Sequence, residues 1–140
     1  MDIIKFDTKN NTNVSSLATR GIYFLFNENK IVYVGQSNGN ILHRIVSHMD
    51  TKVFDSFNTI SCSYEDLSIL EAEYILRIKP AYNKNIPSNN KWVSKNIAKK
   101  EYGMSKHIFN KLNKNNYFSE VLNFVDLYVK RSEIEAYYGR

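Results

Sequence analysis

Four kinds of side chain, spread over the first half of the sequence, match the needs of phosphodiester hydrolysis. They are the phenols of Tyr23 and Tyr33, the guanidinium of Arg44, the imidazole of His48 and the carboxylate of Glu71. That reaction needs a group to deprotonate water, cations to neutralise the charge developing on phosphate, and a metal to hold the leaving oxygen. Arg44 and His48 lie four residues apart, so on a helix they stand one above the other on a single flank. Across 65–78 a 3.6-residue period gathers Leu67, Leu70, Tyr74, Ile75 and Ile78 into one stripe, and Glu71 lies inside it. Glu73 falls on the opposite polar flank, where it reads as a surface charge paired with Arg77. An unpaired ionised carboxylate is too costly for a core. Glu71 is therefore expected at the edge of a cleft or buried with a partner, either a divalent cation or a hydrogen-bonding Tyr or Arg. Taken singly, each group also has a structural reading: tyrosines pack half-buried in sheets, Arg44 decorates a surface, and His48 caps its helix.

The elements that must position these groups follow from apolar patterning. Two apolar runs at 21–26 and 31–35 flank the polar tetrapeptide Asn27-Glu28-Asn29-Lys30, which predicts a β-hairpin. Asn40 is placed to cap a helix running to about Met49, a third strand is expected over 57–64, and a second helix over 65–78 must stop before Pro80. The first 20 residues read as a polar arm with one short strand near Ile3 to Phe6. Residues 21–84 form the expected first domain and 85–91 a linker. Residues 92–140 change to short helices. A helix over 92–102 is broken by Gly103, Ser105 caps another over 106–114, and apolar stretches at 121–125 and 127–129 suit a hairpin or wing. Ser132 with Glu135 predicts a capping box for a last helix. The fold class expected is α+β: a small three-stranded antiparallel sheet flanked by helices, then a small, mostly helical C-terminal module.

Composition sets the outer limits. The 140 residues are 43% apolar and 24% charged, the balance of a soluble globular protein rather than a disordered one. No apolar run is long enough to span a bilayer, and the first residues lack a basic region followed by an apolar core, so neither a membrane span nor a secretory signal is expected. Cys62 is the only cysteine, which excludes an internal disulfide and a multi-Cys zinc site and points to a reducing, cytoplasmic setting. The net charge of +5 is uneven. Residues 1–88 carry nine Lys/Arg against nine Asp/Glu, whereas residues 89–140 carry ten against five. A neutral body with a basic tail suggests an anionic partner for the tail, nucleic acid above all; a solvated basic surface is the plain alternative.

Gly21-Ile22-Tyr23, a nine-residue gap and Tyr33-Val34-Gly35 resemble the signature of the GIY-YIG nucleases, and Arg44-x3-His48, Glu71 and Pro80-x-Tyr82-Asn83 follow in the family's order. Glu71 lies nine residues before Pro80 and twelve before Asn83, the family's spacing for its helix-borne Glu. The resemblance spans Gly21 to Asn83 and implies a metal-dependent DNA endonuclease of phage, mobile-element, restriction or repair type. By motif position, Glu71 would bind a single Mg2+ (or Mn2+) and Arg44 would hold the scissile phosphate. Tyr23 would activate water, directly or relayed through Tyr33 or His48, and Asn83 would order the site or contact the DNA backbone. The sequence departs from the family in three ways. The Tyr–Tyr gap is about one residue short, the stretch 36–40 is slightly long and either shifts Arg44 or bulges outward, and Gln36 stands where many members have Lys.

The C-terminal part resembles, more faintly, excisionase-like helix-turn-helix domains with a wing. That likeness implies a recognition helix over 105–114 offering Lys106, His107, Asn110, Lys111 and Lys114 to double-stranded DNA, with Lys130 and Arg131 in the wing-to-helix passage. The competing reading is a helical lid that packs Trp92, Ile97, Ile108, Phe109, Leu112 and Phe118 onto the first domain. The expectation is thus an endonuclease, monomer or homodimer, in a bacterial or phage-infected cytoplasm. Its rivals are a non-catalytic DNA-binding regulator on a degenerate nuclease scaffold, and a nuclease for RNA or branched DNA.

Overall fold

The computed structural model describes residues 20–140. The expected arm strand near Ile3 to Phe6 lies outside them. The chain divides into two compact units, the boundary falling between Pro87 and Ser88. No helix among the described residues is long and apolar enough to cross a membrane.

The first unit is built on the hairpin. Strands β1 (Gly21–Asn27) and β2 (Lys30–Ser37) are joined by Glu28 and Asn29, both left-handed with φ of 51° and 65°. Two successive left-handed residues give the mirror-image turn whose twist suits a two-residue hairpin. Asp55 steadies it by accepting the Glu28 N–H at 3.0 Å. Strand β3 (Ser56–Ser61) pairs antiparallel with β1, so the sheet order β2-β1-β3 leaves β2 at an edge. Helix α1 (Ile41–Ser47) begins where the Asn40 side chain accepts the His43 N–H, and its Ile41 and Ile45 pack with Tyr23 and Leu25. Residues two apart share a sheet face, so Phe24 points the other way, where it meets Tyr74 of α2 (Leu67–Ile78) edge-on at 4.9 Å. A 3-10 turn at Tyr64–Asp66 precedes α2, so the α-helix starts two residues later than the expected 65–78. It stops at Lys79, which turns left-handed (φ 55°) ahead of Pro80.

One expectation on α2 is overturned. Glu73 is not a surface charge: it is buried at 9% exposure, with Arg77 Nε and Nη2 donating to its Oε1 at 3.2 and 3.0 Å. The helix is turned relative to the expected stripe. Ala72, Ile75 and Leu76 are its most buried residues, while Leu70, Tyr74 and Ile78 are half-buried. Glu73 lies on the rim of that inner face beside Leu76, and the guanidinium of Arg77 supplies the partner that burial requires.

The second unit has a three-stranded antiparallel sheet of its own, ordered β4-β6-β5, from β4 (Trp92–Ser94), β5 (Val121–Phe124) and β6 (Asp126–Lys130). The helix expected over 92–102 is therefore divided. Trp92, Val93 and Ser94 pair with Lys130, Val129 and Tyr128, and α3 (Lys95–Tyr102) starts only where the Ser94 hydroxyl accepts the Ile97 N–H. Gly103 (φ 70°) closes α3, and Ser105 caps α4 (Lys106–Lys114) as expected. The last helix, α5 (Arg131–Tyr137), does not use the predicted capping box. It begins directly from β6, with the Arg131 N–H donated to the carbonyl of Lys91 at 2.7 Å, so Ser132 is already inside the helix. Val93, Ala98, Met104, Phe109, Phe118, Val129 and Ile134 form a core within this unit, and Ile97, Ile108 and Leu112 pack on it. Of the six residues expected to serve as a lid, Ile97, Ile108, Phe109, Leu112 and Phe118 thus belong to a core of this unit's own, and Trp92 is buried outside that cluster.

Candidate active site

Tyr23 and Tyr33 sit on one face of the hairpin because the pairing sets Tyr23 opposite Gly35 and Leu25 opposite Tyr33. Their rings are 6.1 Å apart. The Tyr23 ring crosses directly over Gly35, where a methyl group would come within 2.3 Å of its Cζ, so a side chain here would force the ring to shift. Gly21 is held similarly, with the Ile60 carbonyl in the place a Cβ would occupy. Tyr23 is completely buried, its hydroxyl lies 2.8 Å from His48 Nε2, and Tyr33 and Arg44 both act on it electrostatically. Burial, reinforced by the neighbouring Tyr33, pushes the Tyr23 phenol well above its usual range, while Arg44 works against that rise. Tyr33 is also raised, first by burial and then by Glu71. His48 follows the last turn of α1 and is held near neutrality of charge: burial, then the cations Lys52 and Arg44, lower it to about 4. In the stretch 36–40 that leads into α1, Asn38, Gly39 and Asn40 are exposed, and Arg44 lines the same cleft as Tyr33.

The open edge of β2 is where the remaining groups gather. Asn83 is buried there and binds Val34 twice, accepting its N–H and donating to its carbonyl, each at 2.9 Å. A side-chain amide thus completes an edge strand that would otherwise offer free backbone groups. The Tyr82 N–H adds a bond to the Val32 carbonyl at 3.0 Å, which lays the segment after Pro80 along β2. Beside it opens a cleft of about 540 Å³, lined by Tyr33, Gln36, Arg44, Lys52, Glu71 and Lys84 among others. Glu71 faces this cleft half-buried. Desolvation pushes its carboxyl up to about 7, opposed by a hydrogen bond from Gln36 and by Arg44. Its placement at a cleft edge is one of the two arrangements expected from the sequence.

Scans of this chain against protein-family models, curated proteins and solved structures returned no match. The site therefore rests on its own geometry.

Six residues spread from 23 to 83 are brought to one cleft and the layer behind it: Tyr33, Arg44 and Glu71 line it with Asn83, and Tyr23 and His48 stand behind. As a cation site, the donor set is one carboxylate with an adjacent amide. No group of three or more His, Cys, Asp and Glu converges among the described residues. That set fits Mg2+, which keeps most of its ligands as water and takes one or two carboxylates. It does not fit an ion that needs a cage of protein ligands. Sequence reasoning missed Lys52, whose Nζ lies 3.0 Å from His48 Nδ1 and 4.6 Å from the centre of the Tyr33 ring. Arg44, His48 and Lys52 do repeat at four-residue steps, but α1 ends at Ser47, so that spacing alone does not bring Lys52 to His48.

In the second unit, Lys106, His107, Asn110, Lys111 and Lys114 are all exposed along α4, and Lys130 is half-buried at the end of β6. Arg131 is engaged within the unit: it pairs with Glu101 and donates to the Tyr102 hydroxyl at 3.0 Å and the Asn89 carbonyl at 3.1 Å. Residues 106–114 thus form the freest basic surface among those expected to meet DNA.

Proposed function

We propose that this protein is a metal-dependent DNA endonuclease whose basic C-terminal unit helps to place it on double-stranded DNA. The observation that carries this reading is the convergence of a phenol, a guanidinium and a single carboxylate on one cleft, with a second phenol and an imidazole bonded to each other in the layer behind. Arg44 meets the scissile phosphate and offsets the charge it gains in the transition state. Tyr33 faces the cleft with Tyr23 behind it, so the proton of the attacking water reaches Tyr23 by way of Tyr33. Burial keeps Tyr23 protonated at rest, so it first releases its own proton to solvent through Tyr33 and the cleft; Arg44 and His48 lower the cost of that phenolate, which then takes up the proton of the water. Glu71 holds the cation. When bound, Mg2+ supplies charge stabilisation at the leaving oxygen. Asn83 acts through β2, fixing the strand that carries Tyr33.

Cleavage of supercoiled plasmid with Mg2+ tests this. Wild type should nick or linearise it, Glu71→Ala should lose at least about a hundredfold in rate while still binding DNA, and Glu65→Ala, an exposed acidic control, should cut normally. Equal activity in Glu71→Ala would reject the site. DNA binding by wild type with no cleavage of any substrate, RNA and branched DNA included, would favour the regulator reading.

A further inference from the structure

His48 has a charged neighbour on the side away from Tyr23. Its backbone carbonyl accepts the N–H groups of Thr51 (3.1 Å) and Lys52 (3.0 Å), so Lys52 is carried back one turn beyond the end of α1. There its Nζ reaches His48 Nδ1 at 3.0 Å while His48 Nε2 lies 2.8 Å from the Tyr23 hydroxyl. An ammonium has donors and no acceptor. Nδ1 must therefore offer a lone pair to Lys52, and a neutral imidazole must then carry its proton on Nε2, aimed at Tyr23. The groups facing His48 are Tyr23 from β1, Tyr33 from β2, Arg44 from α1 and Lys52 from the following turn; no carboxylate competes for the ring among them.

We propose that Lys52 is a positioning residue that locks His48 in its Nε2–H tautomer, so that His48 only donates to the Tyr23 oxygen and the proton from the cleft travels through Tyr33. The role of the His48 ring then changes from the relay that the sequence allowed. With its Nε2 proton in place it has no lone pair to take a proton from Tyr23. It supports the Tyr23 oxyanion instead, together with Arg44. Tyr23 must therefore first lose its own proton to solvent through Tyr33, its neighbour on the same hairpin face (ring centres 6.1 Å apart) that opens on the cleft, and the phenolate then takes up the proton of the attacking water by the same route. The catalytic part of this inference rests on the nuclease reading; the tautomer does not.

The test is two-bond 1H–15N correlation NMR on the 15N-labelled full-length protein at pH 7, which separates protonated from lone-pair ring nitrogens. Wild type should show His48 with a pyrrole-like Nε2 and a pyridine-like Nδ1. Lys52→Met should give a mixture of tautomers or the reverse one, and Lys52→Arg, which keeps charge and donors, should restore the wild-type pattern. An Nδ1–H signal in wild type, or an unchanged spectrum in Lys52→Met, would overturn the proposal whether or not the protein cuts DNA. Where cleavage is measurable, Lys52→Met should lower kcat roughly tenfold with little change in KM, and Lys52→Arg should recover it. A rise in KM alone with the tautomer intact would instead make Lys52 a phosphate contact.

Discussion

Burial drives both Glu71 and His48 toward neutrality, the carboxyl from 4.5 to about 7 and the imidazole from 6.5 to about 4. Their effects on stability run in opposite directions. Glu71 favours the folded state fully below pH 4.5, and that advantage is lost as pH rises through about 7. His48 favours the folded state fully above pH 6.5, and its advantage is lost as pH falls through about 4. Between those limits the two slopes partly cancel in wild type. Glu71→Gln removes one of them and leaves every other titrating group in place. In urea unfolding without divalent cations, the stability difference between variant and wild type should be smallest near pH 4.5 and shift in the variant's favour by about 3 kcal/mol by pH 8. A difference that does not grow with pH would mean that the Glu71 carboxyl is not desolvated. The same burial explains why a cation suits this position, since binding must draw the carboxyl back to its charged form and release a proton.

At the scale of elements, the hairpin is the part on which the site depends, and Gly35 is its most constrained position. Gly35→Ala sets a methyl against the Tyr23 ring, which is walled by Ile41 and Ile45 of α1. Thermal unfolding should show a loss of about 1–3 kcal/mol, and cleavage should fall because the Tyr23 hydroxyl leaves His48. An undisturbed Tm would show that the ring has room to move. Signals confined to a few neighbouring residues were legible in the sequence: the Asn27-to-Lys30 turn, the Asn40 and Ser105 caps, the Gly103 stop and the break at Pro80. What was not legible depended on distant partners. β4 is three residues long and exists because Lys130 lies beside Trp92; nothing within 92–94 distinguishes it from the first turn of α3. Glu73 was misplaced because the expected stripe was centred on Leu70, Tyr74 and Ile78, whereas the fully buried residues are Ala72 and Leu76. The Tyr, Arg, His, Glu and Asn set could be read from order and spacing, whereas Lys52 could not be weighed until the turn after α1 was seen to fold back.

At the scale of the whole molecule, the charge split coincides with the division into units. The first unit, through Pro87, is balanced and sets Arg44, Lys52 and Lys84 in the cleft with Glu71; the second carries the excess. Its core is closed from within, so the Lys residues of α4 are not needed for folding, and none of the three has an ion pair among the described residues. Replacing Lys106, Lys111 and Lys114 together with Ala should leave thermal stability within about 1 kcal/mol of wild type, as expected for exposed positions. It should weaken DNA binding on any sequence and lower the slope of log K against log salt by about 2–3, at roughly 0.9 for each phosphate that is no longer neutralised. Turnover at saturating DNA should survive, because Glu71, Arg44 and the tyrosines lie in the other unit. The converse holds for Glu71→Ala, which should abolish turnover and keep the salt slope. If the triple variant retained the wild-type slope, the basic surface would be a solubility device, and the cations around the cleft would have to account for DNA binding alone.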